Sequence, residues 1–491
     1  MDTLMQLVTK GNDFLWSFLL LVLLCGTGLY YTIRLRFIQV RKFGEGVRQV
    51  FGHFSMNGEK HEKGEMTPFQ SIATAIAAQV GTGNLAGAAT ALIGGGPGAI
   101  FWMWISAFLG MATIYGEAVL AQTYKTEVNG EVTGGPVYYI KAAFKGTFGK
   151  ALSTLFAVFI ILALGFMGNM VQSNSIGAAF VEAFQVFHVE LSPVIVGIVV
   201  AVIAAVIFLG GTKSLATVVE KIVPIMAGIY IIGSLVVILL NINSIPTAFM
   251  QIIVGAFKPN AVLGGAAGIT VREAIRYGVA RGLFSNEAGM GAVPNAAAAA
   301  DASHPVKQGL IQAMGVYFDT LFVCTASAML VLLSPEWMMG SKLTGIALVQ
   351  KSVAGQLGEW TNFFMTVIVL FFAFSSIIGN YFYGEMNMPF ISKSKYAMPI
   401  FRVFVVVMVF VGSIASLSLV WDLADLFMAL MAIVNLVAIF MLGKYAIAAL
   451  RDYSAQKRRG ILDPIFDPRI LPDKKGVQCW PRDEDPRRKV N

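Results

Sequence analysis

Followed for apolar and polar positions, the chain is a series of long apolar runs divided by short polar stretches. A helix that crosses the hydrocarbon needs about 20 mostly apolar residues. Eleven stretches meet that requirement. The first runs from about Phe14 to Ile33. The next ten, termed core helices 1 to 10, cover roughly residues 67–94, 97–124, 151–187, 192–211, 218–241, 270–300, 307–333, 359–385, 397–418 and 422–443. Segment 34–63 is polar and basic, with an amphipathic arrangement open to it. Segment 444–491 is charged and Pro-bearing, and is expected to be irregular after its first turns. The opening Met1-Asp2-Thr3 has no basic n-region and is not followed by an A-x-A cleavage site, so the first apolar run reads as a retained span.

The pattern contains an internal repeat. Core helix 1 holds Gln79-Val80-Gly81-Thr82-Gly83-Asn84-Leu85-Ala86-Gly87, and core helix 6 holds Ser285-Asn286-Glu287-Ala288-Gly289. Both contain Asn-x-Ala-Gly, 202 residues apart. Each helix is the first of a set of five, and five is odd, so the second set crosses the membrane inverted. Interrupted helices at matching positions in two halves point to a transporter site. Each Gly weakens a helix by about 1 kcal/mol relative to Ala. An unwound turn at mid-membrane exposes N–H groups that suit a carboxylate and carbonyls that suit Na⁺, and these must face protein or a polar cavity. Close helix packing is the competing role for any single Gly.

Composition narrows the class. Of 491 residues, 56 % are apolar and 13 % charged, against about 25 % charged in soluble proteins; the mean hydropathy is +0.71. This excludes an ordinary cytosolic enzyme, a disordered chain and a secreted disulfide scaffold. Cys25, Cys324 and Cys479 form no metal-binding spacing, and neither do the four histidines. The net charge of +8 reflects Lys and Arg residues that border the spans, a topology signal rather than a nucleic-acid footprint. With the N-terminus outside, 29 of the 36 Lys and Arg lie inside. The positive-inside rule therefore places the N-terminus outside and the C-terminus in the cytoplasm.

Polar residues inside spans carry the candidate chemistry. Ser375 and Ser376 in core helix 8 are placed to complete a cation site with core helix 1 carbonyls, or else to bond back to their own helix. Asn169, Gln172 and Asn174 suit a zwitterionic ligand or interhelical hydrogen bonds. Asp319, in core helix 7, is open to three roles: a proton site, a cation ligand or a structural partner of helix ends. Glu117 and Glu385 fall near span ends, where solvated or capping roles are expected. Glu287 sits in the core helix 6 break and is placed to satisfy freed amides. Glu273 and Arg276 have the spacing of an i,i+3 pair. Phe101-Trp102-Met103-Trp104 reads as interface anchoring. Phe284 is placed to close over a substrate or to pack in the core.

Gly95-Gly96-Pro97-Gly98-Ala99-Ile100-Phe101-Trp102-Met103-Trp104 resembles the signature of the alanine or glycine:cation symporter family. The runs Gly81–Asn84, Phe284–Ala300, Phe318–Met329 and Phe372–Glu385 resemble it too, so the likeness spans nearly the whole chain. It implies sodium-coupled uptake of a small neutral amino acid, on a fold of two inverted five-helix repeats. By position it implies Na⁺ ligands from the carbonyls of Ala77 and Val80 and the hydroxyls of Ser375 and Ser376. Gln79, Thr82 and Gly83 would meet the substrate, Asn84 would stiffen or extend that site, and Phe284 and Ser285 would form the opposite wall. Gln172 and Asn380 are further polar contacts. Asn380 stands where many members have Trp, and a smaller polar residue there enlarges the pocket or favours a side chain with an amide.

The resulting expectation is an all-α polytopic protein of the cell membrane, with about 11 transmembrane helices. Its parts are an extra helix at 1–33, a basic linker at 34–66, a first repeat at 67–241, a connection at 242–269, an inverted second repeat at 270–443 and a basic tail at 444–491. It imports alanine or glycine foremost, serine or glutamine next, with sodium as coupling ion and no cofactor. Membrane lipid is a partner and nucleic acid is not. A proton-coupled carrier using Asp319 is the first alternative, and a non-accumulating amino-acid sensor or channel the second. An enzyme is remote, because no nucleophile–base pair or phosphate-binding loop stands out.

Overall fold

The computed structural model describes residues 2–51, 68–128, 131–258, 270–338 and 343–480. Parts of the expected linker (52–67), connection (259–269) and tail (481–491) lie outside the described residues.

The principal elements, in chain order, begin with α1, which runs Asp2–Phe14, through a π-helical turn at Leu15–Leu19, into Leu20–Arg34. α2 is Phe43–Phe51. α3 is Pro68–Gln79, and α4 joins a π turn at Gly83–Gly87 to Ala88–Gly95. α5 is Gly98–Thr123, followed by the hairpin β1 (Thr126–Val128) and β2 (Glu131–Thr133) and by α6, Pro136–Ala143. α7 is continuous through Gly146–Ile160, a π segment at Ile161–Gly168, and Asn169–Gln185. α8 is Pro193–Leu209, α9 Gly211–Leu240 and α10 Ile245–Phe257. α11 is Val271–Asn286 and α12 Pro294–Ala299. α13 runs Pro305–Val316, a π segment Tyr317–Cys324, and Thr325–Leu332. α14 is Gly345–Leu357, α15 Thr361–Ile391, α16 Ala397–Ile414 and α17 Leu417–Arg458.

Seven helices among the described residues are long and apolar enough to cross a membrane, and the bent pair α3–α4 makes eight. The count of eleven expected from hydropathy is not reached by this measure, for local reasons. The apolar stretch Leu20–Arg34 and α8 are short. The stretch 270–300 is divided into α11 and α12 by an irregular turn. Two further helices, α10 and α14, lie between expected spans.

The two broken helices cross as an inverted repeat requires. α3 and α4 are bent by 44° at Val80–Thr82. α4 packs on α11, and α3 packs on α12. The first half of one broken helix therefore meets the second half of the other, which is antiparallel pairing. α5 runs along α11 and α13, α7 along α15 and α16, and α3 lies against α9 and α15. The breaks thus sit at the centre of the bundle.

The segment after residue 443, as far as Trp480, is partly helical and packed against the bundle. α17 continues past residue 443 because Tyr445, Ala446, Ala449, Leu450 and Tyr453 keep an apolar face buried at helical spacing. Beyond Arg458 the backbone is largely irregular, yet Phe466, Leu471 and Trp480 are buried.

Candidate functional site: the crossing of two broken helices

The first break is held open by side chains. The amide of Gly81 donates to Asn84 Oδ1 at 2.9 Å. The amide and hydroxyl of Thr82 both donate to Gln172 Oε1, at 3.2 and 2.9 Å. A Cβ at Gly81 would fall 2.1 Å from Ser376 Oγ, so only Gly permits this close approach of α15. The Asn84 amide in turn donates to Asp319 Oδ1 at 2.6 Å. Asn84 therefore braces the break and does not line the cleft beside it.

Ser375 and Ser376 converge on the end of α3. Ser376 Oγ donates to the Ala77 carbonyl at 3.0 Å and lies 3.3 Å from the Ala78 carbonyl; Ser375 Oγ is 3.4 Å from the Ala77 carbonyl. Both also lie within hydrogen-bond range of the Phe372 carbonyl of their own helix. Each hydroxyl keeps lone pairs that a hard cation accepts. Val80 is buried at the same helix end, its amide bonded to the Ile76 carbonyl at 2.7 Å. The Ala77 carbonyl and the two hydroxyls place oxygen atoms together, the donor type that Na⁺ favours.

Beside them is a small cleft between α3, α4, α7, α11 and α15. Gln79, Gly83, Gln172, Phe284 and Asn380 line it, five of the residues expected to meet a substrate, and so does Glu287. Gln79 Nε2 donates to the Asn286 carbonyl at 2.8 Å, while its Oε1 is buried without a hydrogen-bond partner. Asn380 Nδ2 faces the backbone of α7 at Gly168. Thr82 and Ser285 are fully buried just behind the cleft, and Ser285 Oγ donates to Asp319 Oδ2 at 2.7 Å.

The second break is satisfied from another helix. Gly289 and Gly291 adopt φ of +92° and +83°, which favours Gly. Their amides donate to Glu117 of α5, at 2.8 and 3.0 Å, and Asn435 of α17 also donates to that carboxylate. Glu117 is thus neither solvated nor a span-end cap. It supplies the acceptor expected from Glu287. Gln122, one turn further along α5, donates to the carbonyls of Ala297 of α12 and of Ala300 just past its end.

Other polar residues have settled partners. Asn174 donates to the carbonyls of Gly412 and Ala415, bridging α7 and α16. Asn169 bonds back to the Gly165 carbonyl of its own helix. Glu385 is paired with Arg402 at 3.0 Å and accepts from Tyr381, so it is not solvated. The Glu273–Arg276 pair does not form. Glu273 closes a capping box with Thr270, and Arg276 pairs with Asp13 at 2.7 Å. Trp102 and Trp104 donate to Ala256 and Thr325, tying α5 to α10 and α13.

On the α11 side the cleft is covered. The rings of Phe284 and Trp421 lie 4.5 Å apart, and the Arg281 guanidinium sits 4.8 Å from the Trp421 ring while paired with Asp425. Trp421 and Asp425 carry no sequence signal that connects them to Phe284. Apart from Phe284, the residues assigned to ion and substrate are all buried. The arrangement is a small, largely buried central cleft with a cluster of oxygen atoms beside it.

Comparisons with known proteins show the family of the chain and its fold. The sequence model of the "Sodium:alanine symporter family" matches residues 1–468. The chain is 45 % identical over 477 residues to the Bacillus subtilis protein named "Probable sodium/glutamine symporter GlnT", covering 97 % of this chain and 96 % of that one. It is 39 % identical to the sodium/alanine symporter AgcS of Methanococcus maripaludis, covering 91 % and 97 %. A crystal structure of a mutant Eremococcus coleocola manganese transporter shares the fold, with a TM-score of 0.53 at 14 % identity, covering 84 % of this chain and 87 % of that one. Family match, relatives and apolar helices together make this an integral membrane protein of amino-acid and cation symport, and the chain belongs to the sodium:alanine symporter family.

Proposed function

We propose that the protein imports a small neutral amino acid together with Na⁺ by alternating access. The observation that carries this reading is the convergence of the Ser375 and Ser376 hydroxyls on the Ala77 carbonyl, beside a cleft at the break of α3 and α4. Na⁺ binds among the oxygens of Ala77, Val80, Ser375 and Ser376. The amino acid occupies the cleft, with its carboxylate toward the start of α4, where the helix end favours negative charge. Phe284, seated under Trp421, closes the outer side.

Alanine and glycine are the foremost substrates. Glutamine is the next to test, because Asn380 offers an amide at the cleft and a relative at 45 % identity is named for glutamine. In this reading the N-terminus is outside and the C-terminus in the cytoplasm, which the basic flanks support. One Na⁺ crossing 100 mV yields about 2.3 kcal/mol, and a tenfold gradient adds about 1.4 kcal/mol. The sum supports roughly 500-fold accumulation at one-to-one coupling.

The test is uptake of labelled alanine, glycine and glutamine into proteoliposomes, with and without an inward Na⁺ gradient. Concentrative uptake that needs the gradient is expected. Equilibration without accumulation for all three substrates would replace the symporter with a channel or sensor.

A further inference from the structure

One carboxylate at the cleft is left over by the framework. Glu287 ends α11 at φ +55°, donating its amide to the Leu283 carbonyl at 2.8 Å. Helix ends in this left-handed conformation are usually Gly, since a residue with a Cβ costs about 1–2 kcal/mol there. Glycines stand two and four residues further on, yet this position holds Glu. The side chain is not used by the break, whose amides at Gly289 and Gly291 are held by Glu117. It is 3 % exposed, it lines the cleft, and its Oε2 is buried with no hydrogen-bond partner.

A second acceptor, on a residue that lines the same cleft, is in the same condition. Gln79 Oε1 is buried without a partner, and the Gln79 amide nitrogen is already committed to the Asn286 carbonyl. Both orphaned atoms are acceptors. A buried acceptor left unpaired is costly, and a carboxylate more so. A group that satisfies both must be rich in N–H donors and gains from a positive charge. The ammonium shared by all amino acids has three donors and that charge, while a substrate carboxylate is repelled from this end of the cleft.

We propose that Glu287 is the counter-charge for the substrate's α-ammonium, with Gln79 Oε1 as the second acceptor. This rests on the amino-acid symport reading and adds the residue that tells an amino acid from other small carboxylates. Bound this way, an amino acid lies with its two charged ends toward opposite walls, its carboxylate on the α4 end and its ammonium on the α11 end.

The test compares L-alanine with L-lactate, which replaces the ammonium by a hydroxyl and is otherwise alike. Wild type, Glu287→Gln and Glu287→Asp are reconstituted, and inhibition of labelled alanine uptake by each compound is measured at saturating Na⁺. In Glu287→Gln the alanine inhibition constant is expected to rise about tenfold or more while that of lactate stays within about threefold. The half-activating Na⁺ concentration stays the same. Glu287→Asp, which keeps the charge, restores part of the alanine-over-lactate preference. Equal weakening of both compounds, or a shifted Na⁺ requirement with the preference intact, overturns the proposal; the latter would make Glu287 a cation ligand. Selective loss of glutamine with alanine unchanged also overturns it, since the donor would then be a side-chain amide. Stabilisation of the purified protein against heat by alanine and by lactate reads the same preference without transport. If wild type accumulates no amino acid, the symport reading fails while this binding measurement still decides the role of Glu287.

Discussion

The side-chain amide of Asn84 donates to Asp319 Oδ1 at 2.6 Å, and the two residues are 235 positions apart. This bond ties the break between α3 and α4 to the π segment of α13. The other carboxylate oxygen accepts from Ser285 of α11 and from Thr320, both at 2.7 Å. One buried acid therefore joins both broken helices to α13. Its oxygens are occupied by fixed donors, which favours the structural role over a proton site or a cation ligand.

Asp319→Asn is expected to leave at least one buried donor facing an amide NH₂ group, costing about 1–3 kcal/mol. The variant should melt earlier than wild type and transport more slowly, with its requirement for Na⁺ retained. Uptake driven by a proton gradient without Na⁺ in wild type, and absent from the variant, would restore the proton-coupled reading. Uptake at two pH values with and without Na⁺ is the measurement.

The hydroxyls of Ser375 and Ser376 separate ion binding from substrate binding, because neither lines the cleft. Ser375→Ala is expected to raise the half-activating Na⁺ concentration about tenfold, the scale of one lost ligand of about 1.4 kcal/mol. Alanine affinity at saturating Na⁺ should change by less than about threefold. Ser376→Ala should do the same, since Ser376 is the nearer to Ala77. Equal loss of Na⁺ activation and alanine affinity would remove both from the cation site. Gly81→Ala is a harsher probe of the same wall. Its Cβ would fall 2.1 Å from Ser376 Oγ, so overpacking of about 1–3 kcal/mol and loss of transport are expected together.

Glu117 is the acceptor for the second break, and its loss should be felt as stability first. Glu117→Ala leaves the amides of Gly289 and Gly291 without their acceptor, while Asn435 Nδ2 keeps only its bond to the Gly289 carbonyl. At about 1–3 kcal/mol for each buried donor, this is among the most damaging single changes available to the fold. A marked drop in melting temperature in detergent, larger than for Asp319→Asn, is the expected result. An unchanged melting temperature would mean that the break is held by something other than this carboxylate.

The parts of this site that are local in the chain are legible in the residues alone. The Asn-x-Ala-Gly pair marks both breaks because backbone opening needs Gly and a short amide, and composition records such needs directly. Gln79, Gln172 and Asn380 fall around one cleft because polar groups inside a span must meet one another, and Gly83 and Phe284 join them from the two breaks. What escapes the sequence is partner choice across long separations. Glu117 and Gly289 are 172 positions apart; nothing in either segment names the other, so the nearby Glu287 looks like the natural acceptor. Glu273 and Arg276 have the right spacing for a pair, yet Thr270 and Asp13 offer each a better-placed partner. The eleven-span count suffers from the same limit. Hydropathy reports how apolar a stretch is, and not how long a helix it forms, as at Leu20–Arg34 and α8.

The segment after α17 is held against the face formed by α5 and the start of α13. The amide of Phe466 donates to the Ser303 carbonyl at 3.0 Å, Trp480 Nε1 donates to the Gln122 carbonyl at 2.9 Å, and Asp463 pairs with Lys307. Burial by itself raises the Asp463 pKa, but the hydrogen bond and charge of Lys307 outweigh it and hold the carboxyl below its ordinary value. A depressed pKa stabilises the docked form above the free value of about 3.9, and that contribution is lost as pH falls through the docked value. The pair is partly exposed, so its share is small beside the buried Trp480 ring, whose removal is the larger perturbation. Trp480→Ala is therefore expected to speed proteolytic cleavage after Arg458, Arg459 and Arg469 at pH 7. Asp463→Asn should have a weaker effect at pH 7 and should blunt the rise in cleavage that wild type shows below about pH 4, read with an acid-active protease at matched activity. Because Gln122 also holds the carbonyls of Ala297 in α12 and of Ala300 just past it, the proposed alternating access predicts that release of this segment raises the rate of substrate exit. A Trp480→Ala variant that is cleaved faster yet exchanges alanine at the wild-type rate would show that the segment is docked beside the pathway without restraining it.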